Sequence, residues 1–262
     1  MRPDPTPPLP ADGPLTLGRH WLVECHNVPP ARLDDHRALE PLFVDAARAA
    51  GATVLGSHFH RFEPQGVSGV VLLAESHLTV HTWPEHRYAA VDLFSCSDHI
   101  RVEPVLSVLR GGLGSDDLRV SAALARGLLC PAPLDPRSPE PQLSWRARHQ
   151  ALAPTNLHLA VDVEGCPPSL LASNLLAPLA VALREGLGDV NIDPPLLRDQ
   201  GAHRTIFASF PEGHLTAALS PAEGTARVDL LTRAFVDPLP LGLRLRALFQ
   251  GQHHALRCTF RR

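Results

Sequence analysis

At 262 residues, 44% of them hydrophobic, the chain can form one large domain or two modest ones with a substantial core. Its formal charge of −3, with arginines and acids interspersed, gives no basic face for nucleic acid or an anionic membrane and points to a small-molecule or protein partner. All 24 basic residues are arginine, so no lysine can hold pyridoxal phosphate or act as an amine nucleophile, and amine or carbanion chemistry would need another electron sink.

Residues 1–17 are rich in Pro and have no apolar run of signal-peptide or membrane-span length. They read as a disordered leader of a cytoplasmic protein. Trp21–Cys25 then reads as a strand and Arg37–Ala50 as an amphipathic helix stopped by Gly51. Thr53–Phe59, Val67–Ala74, His77–Trp83 and Tyr88–Phe94 read as strands, rich in β-branched or alternating residues and divided by Gly, Pro or Ser. A helix near Pro104–Arg110 and a strand near Leu118–Ala122 complete this set.

The set then recurs. A shift of 137 residues lays Glu75–Leu93 over Glu212–Leu230 with nine of nineteen positions identical, among them His77/His214, Thr79/Thr216 and Asp92/Asp229. With one residue of slip the register extends to His20 over His158 and Leu118-Arg119 over Leu256-Arg257, so the chain reads as an internal duplication. Prolines at 131, 133, 136, 139, 141 and 154 mark a linker over 127–154. The expected organisation is α+β: two homologous α/β-sandwich halves at 18–126 and 155–262, each an antiparallel sheet with helices on one face. The second half serves as an intramolecular pseudo-dimer partner, which removes the need for a homodimer without forbidding one.

Residues 75–96 concentrate the chemistry, with hydroxyl, imidazole, carboxylate and thiol groups within twenty-two positions. The repeat replaces Ser76 by Gly213, His81 by Ala218 and Cys96 by Arg233. Those three first-half residues are therefore the candidates for catalysis, and shared ones such as His77/His214 are candidates for structure. A Glu-Ser bond can be cut by its own serine: Oγ attacks the preceding carbonyl, an ester forms, and β-elimination leaves a pyruvoyl cap, an electron sink made from protein alone. Such cleavage needs a strained turn, an oxyanion donor and a base, for which Ser76, Ser68 and His81 are the candidates. Cys96 is a candidate acid to protonate the product carbon. The five cysteines, without any CxxC, indicate neither a disulfide framework nor a zinc site. The alternating pairs His77/His81 and His58/His60 lack a third ligand at a fitting spacing, so no metal is expected. Trp83 and Phe94 read as core.

Gly18-Arg19-His20, Phe59-His60-Arg61-Phe62, Gly66–Val71, Glu75–Glu85 and Ala89–Cys96 resemble, in order and spacing, the prokaryotic S-adenosylmethionine decarboxylase proenzyme family. The resemblance implies self-cleavage between Glu75 and Ser76, a pyruvoyl cofactor derived from Ser76, and a Schiff base with the substrate amine. The product would be the aminopropyl donor for spermidine biosynthesis. It further implies Ser68 and His81 as processing residues, Cys96 as proton donor, Glu85 as the ribose-binding carboxylate, and Phe62 as a wall of the adenine or sulfonium pocket, where an aromatic face favours the cation. His86-Arg87 stands where the family usually has an aromatic-Gly pair, and Glu63 adds an acid to a normally apolar segment. These departures leave two alternatives: an arginine or ornithine decarboxylase on the same scaffold, with Glu63 pairing a basic side chain, and a non-catalytic activating partner of another decarboxylase.

Overall fold

The computed structural model describes residues 18–74, 76–121, 123–126, 145–151, 156–188, 190–200 and 203–261. The expected leader, most of the expected linker and Glu75 lie outside these residues. The first half runs β1 (Gly18–Cys25), α1 (Pro30–Leu33), α2 (His36–Ala49), β2 (Val54–Arg61), β3 (Val67–Leu73) and β4 (Ser76–Trp83). A 3-10 turn at Pro84–His86 leads into β5 (Tyr88–Ser95), α3 (Val102–Leu113), β6 (Leu118–Val120) and β7 (Leu124–Arg126). The side chain of Asp35 caps α2 by accepting from the Ala38 N–H, and Gly51, at φ 87°, stands just past the helix end. Within the expected linker, Trp145–Ala151 forms a short helix, α4, in a stretch that contains no proline.

The second half repeats the pattern as β8 (Asn156–Glu164), α5 (Pro168–Leu171), α6 (Leu176–Leu187), β9 (Leu196–Gln200), β10 (His203–Phe210), β11 (Gly213–Ser220), β12 (Thr225–Thr232), α7 (Pro238–Leu248) and β13 (His253–Arg261). The first sheet is ordered β2-β3-β4-β5-β1-β6, with β7 also pairing β1. The second is ordered β9-β10-β11-β12-β8-β13. Strand for strand these are the same order, and every pairing among the described strands is antiparallel. The two-half α+β architecture read from the sequence is the one observed.

Alternation along the strands gives each sheet two buried faces. Val23, Val71, Leu78, Val80, Val91 and Leu93 turn one face of the first sheet onto α2 and α3, where Leu39, Phe43, Leu106 and Leu109 meet them. The second sheet packs on α6 and α7 in the same way through Val161, Leu215, Val228, Leu183 and Leu245. The remaining faces of the two sheets meet each other. Small apolar clusters lie at that junction, with Val70 and Leu72 against Phe207, and Trp83, Tyr88 and Ala90 against Leu231. The layers are therefore helix, sheet, sheet, helix.

Between the sheets lies a buried charge network with approximate two-fold symmetry. Arg126 of the first half donates to Asp162 at 2.7 Å and to Asp229, both of the second half. Arg261 of the second half donates to Glu24 at 2.6 Å and Asp92 at 2.7 Å, both of the first half, and also to the Val23 and Val91 carbonyls. Both guanidinium groups are essentially inaccessible to water. Burial alone would raise the carboxyl pKa values of Asp92 and Asp229, but Arg261 and Arg126 respectively outweigh it and hold both well below the usual range.

Removing one partner of such a network leaves a buried charge uncompensated, which costs about 3–5 kcal/mol. Arg126→Met is therefore expected to lower the unfolding free energy by roughly that amount, read from the shift of the urea midpoint. A loss well under about 1 kcal/mol would show that Asp229 is satisfied without it.

Candidate functional site

Ser76 opens β4 at φ 155°, a region that residues with side chains rarely adopt, so backbone strain falls on the residue expected to be cut. It pairs with Ser95 across β4 and β5, which puts Cys96 immediately beyond the same end of the sheet. The two residues line one cavity of about 340 Å³, together with Phe94 from the first sheet and Thr205, Glu223 and Arg227 from the second. Arg227 NH1 lies 3.7 Å from Cys96 Sγ. Cys96 keeps an exposed face, yet loss of water on its other side raises the thiol pKa, with Arg227 pulling against that shift. A thiol held protonated at neutral pH is the state a proton donor needs.

Ser68 and His81 do not share this cavity. They pair directly across β3 and β4, where the Ser68 hydroxyl meets His81 Nδ1 in a short hydrogen bond and both are buried. His81 is five residues along β4 from Ser76, about 17 Å at the usual strand rise, on the face turned to the second sheet. There it donates to the Pro211 carbonyl and packs on Trp83 at 4.3 Å and Phe62 at 5.8 Å. Glu85 lies at the same far end, accepting from Gln65 at 3.1 Å and standing 3.8 Å from Arg233. Ser76 and Cys96 thus converge as expected, whereas Ser68, His81, Glu85 and Phe62 form a second group. The expectation of one centre holding all six corresponds to two places in the structure.

The duplication explains the division. Register sets Ser68 opposite His81 in the first half and Thr205 opposite Ala218 in the second. The sheets face each other about a pseudo-two-fold axis, so Ser76 and Cys96 look onto Thr205 and the second-half wall. At the other end, Ser68 and His81 look onto the region of Gly213 and Arg233, the counterparts of Ser76 and Cys96. A side chain at 213 is excluded outright, since a Cβ there would lie 1.9 Å from the Leu231 carbonyl oxygen. Each end retains half of a set.

His77 touches Ser76, a contact that no sequence argument suggested. Its Nδ1 lies 3.2 Å from Ser76 Oγ, and its Nε2 lies 3.2 Å from Thr216 Oγ1 and 3.9 Å from Asp229 Oδ2. Full burial lowers its pKa to about 4, against the opposing pull of Asp229, so the ring is neutral at physiological pH. Arg227 was also missed, and its signal was in the repeat: the position it occupies is Ala90 in the first half.

The other candidates settle elsewhere. His60 contacts Asp193 at 3.5 Å and His58 packs on Phe207, while Glu63 is held by Arg61 at 2.9 Å. His20, His158 and Asp229 approach closely enough to suggest a cation site, but Arg126 already lies against both His20 Nδ1 and Asp229 Oδ1. The positive charge there is the arginine itself. No helix among the described residues is long and apolar enough to cross a membrane.

A duplicated α/β sandwich with an internal serine facing a cavity beside a protonated thiol suits a self-processing enzyme. The S-adenosylmethionine decarboxylase family model matches residues 19–127. Over 97 residues the chain is 52% identical to an S-adenosylmethionine decarboxylase proenzyme of Parasynechococcus marenigrum, covering 37% of this chain and 76% of that protein. A proenzyme of the same name from Pseudomonas paraeruginosa is 41% identical over 149 residues, covering 53% and 92%. A solved adenosylmethionine decarboxylase of Aquifex aeolicus is 32% identical and covers 45% of this chain and 97% of its own, with a TM-score of 0.40. The chain belongs to the S-adenosylmethionine decarboxylase proenzyme family, whose members carry a pyruvoyl group formed from serine by self-cleavage. Ser76 suits that origin: the group is made from the chain's own atoms, and the serine already lines the cavity.

Four imidazoles between the sheets, those of His20, His77, His81 and His214, are held below their ordinary pKa chiefly by burial, His77 and His214 to about 4. The unfolded chain therefore binds protons that the folded chain refuses. Stability is fully present above about pH 6.5 and is lost as pH falls toward 4, by up to about 3 kcal/mol for each of the last two. Urea midpoints measured between pH 7 and 4 should fall steadily, and a flat profile over that window would contradict neutral buried imidazoles.

Proposed function

We propose that the chain is a self-processing, pyruvoyl-dependent decarboxylase of S-adenosylmethionine, acting in the cytoplasm and supplying the aminopropyl donor for spermidine. The observation that carries this reading is the convergence of Ser76 and Cys96 on one cavity, in a chain whose relatives are named as S-adenosylmethionine decarboxylase proenzymes.

In the first stage the chain acts on itself. Ser76 Oγ attacks the Glu75 carbonyl carbon, the peptide nitrogen leaves, and an ester replaces the amide. Removal of the Ser76 α-proton then expels the Glu75 carboxylate, and the dehydroalanine that remains tautomerises to an imine, which water hydrolyses to the ketone of the new terminus with release of ammonia. The rarely adopted φ of 155° at Ser76 places backbone strain at the attacking residue, which favours the initial attack.

The pyruvoyl group then supplies the electron sink into which decarboxylation of an amine substrate can proceed. The protein's own part is to bind, exclude water and return a proton. Cys96 is positioned to give its thiol proton to the carbon that has lost carbon dioxide, and Arg227, against the sulfur, steadies the thiolate that remains. Glu223 places a carboxylate in the same cavity, an anionic partner for the sulfonium charge. The second half thus contributes one wall of the cavity.

Intact-mass spectrometry tests the first stage. Two fragments, 1–75 and 76–262, with the larger lighter by one ammonia than its sequence, are expected. Carbon dioxide release should then follow from S-adenosylmethionine and not from arginine or ornithine. An uncut chain would favour the activating-partner alternative, and release from a basic amino acid alone would replace the substrate.

A further inference from the structure

We propose that His77, not His81, is the general base of self-cleavage: it takes the proton from Ser76 Oγ and returns it to the departing peptide nitrogen. The proposal rests on the reading of Ser76 as the self-cleaving residue. Written out, the Oγ–H bond breaks as the oxygen bonds to the carbonyl carbon of residue 75. The proton passes to His77 Nδ1, the C–N bond to residue 76 breaks, and the same proton ends on the released amine. Nothing is oxidised or reduced, and no water or other reagent is consumed.

Geometry is the first support. A nucleophile within hydrogen-bond reach of a base that a third group orients is the arrangement that activates hydroxyls in general. Here Ser76 Oγ to His77 Nδ1 is 3.2 Å, and His77 Nε2 to Thr216 Oγ1 is 3.2 Å. The role requires the proton on Nε2, where it is donated to Thr216, leaving Nδ1 free to accept. Asp229 Oδ2, 3.9 Å from Nε2 and without a hydrogen-bond partner of its own, favours that tautomer and steadies the imidazolium as it forms. The neutral ring is the competent form.

The repeat supplies an internal control. His214 is the counterpart of His77, equally buried and with its pKa also lowered to about 4, yet its Nδ1 has no hydrogen-bond partner. The position that would present a hydroxyl to it is Gly213. Thr79, the counterpart of Thr216, likewise has an unpartnered hydroxyl. The linked chain of serine, histidine and threonine thus exists only at the first-half serine. Thr216 and Asp229 act as positioning residues, which gives a reason for the second half to retain them although its own serine, His81 equivalent and thiol are gone.

His81 is excluded from this step by its place, about 17 Å along the strand and closed against Ser68. The test uses cell-free synthesis of the whole chain, following conversion of full-length protein into two fragments with time. His77→Gln is expected to slow cleavage by at least about 100-fold, the lower range of a general base. Thr216→Val, which keeps the side-chain volume, should slow it about tenfold, and His81→Gln should cut at close to the wild-type rate. The melting temperature of the His77→Gln chain is compared with that of Ser76→Ala, which is uncut by design. Should His77→Gln fail to fold, Thr216→Val decides. Wild-type cleavage rates in both, or arrest by His81→Gln in a folded chain, would overturn the proposal. A wild-type chain that never cuts would instead remove the function it rests on.

Discussion

Two arginines buried between two sheets set the relation on which the rest depends. Arg126 reaches from the first half to Asp162 and Asp229, and Arg261 reaches back from the second to Glu24 and Asp92. Apolar contacts between the sheets are small by comparison and tolerate sliding, because apolar burial has no direction. Charges in a dry interior do not tolerate it: a shift of one strand residue would separate each guanidinium from its carboxylates. The crossed pairs therefore fix which strand end faces which, and with it the neighbours that Ser76 meets.

That fixed registration turns duplication into division of labour. In a sandwich whose halves were identical, both ends would carry a serine and a thiol from one sheet and a hydroxyl–imidazole pair from the other. Here one end keeps Ser76 and Cys96, and the other keeps Ser68 and His81. Gly213 makes the loss irreversible at the level of packing, since the Leu231 carbonyl occupies the space a side chain would need. The second half has not become inert, however. It retains Asp229, which serves both Arg126 and the histidine beside Ser76, so removing it would disturb the interface and the site together.

The fold was largely legible because its signals are local or repetitive. Strand alternation, the Gly51 stop and the 137-residue repeat each follow from backbone preferences or a copied register, and all are visible in one dimension. Ser76 and Cys96 were legible for a similar reason, as neighbours across one hairpin. Ser68 and His81 were legible as a pair but not as a pair remote from Ser76. Strand spacing along β4 already implied that separation, but a shared motif invites the assumption of a shared cavity. His77 was set aside because it has a counterpart at 214, an inference that treats identity between copies as a sign of structural duty. The structure sets the two copies apart: His77 has the Ser76 hydroxyl beside it, whereas His214 follows Gly213 and its Nδ1 has no hydrogen-bond partner.

Arg227 presents the reverse case, a residue introduced where the first half has only Ala90. A buried guanidinium with a sulfur at 3.7 Å is an unusual partner choice unless the sulfur carries negative charge at some stage. Desolvation keeps Cys96 protonated at rest, and Arg227 opposes that shift without reversing it. The balance suits a group that must hold a proton until a carbanion appears and then survive as an anion. A stronger cation or a drier pocket would each spoil one of these two requirements. The wall opposite the serine is therefore more than a relic of the lost second site: its guanidinium sets the charge balance around the Cys96 thiol.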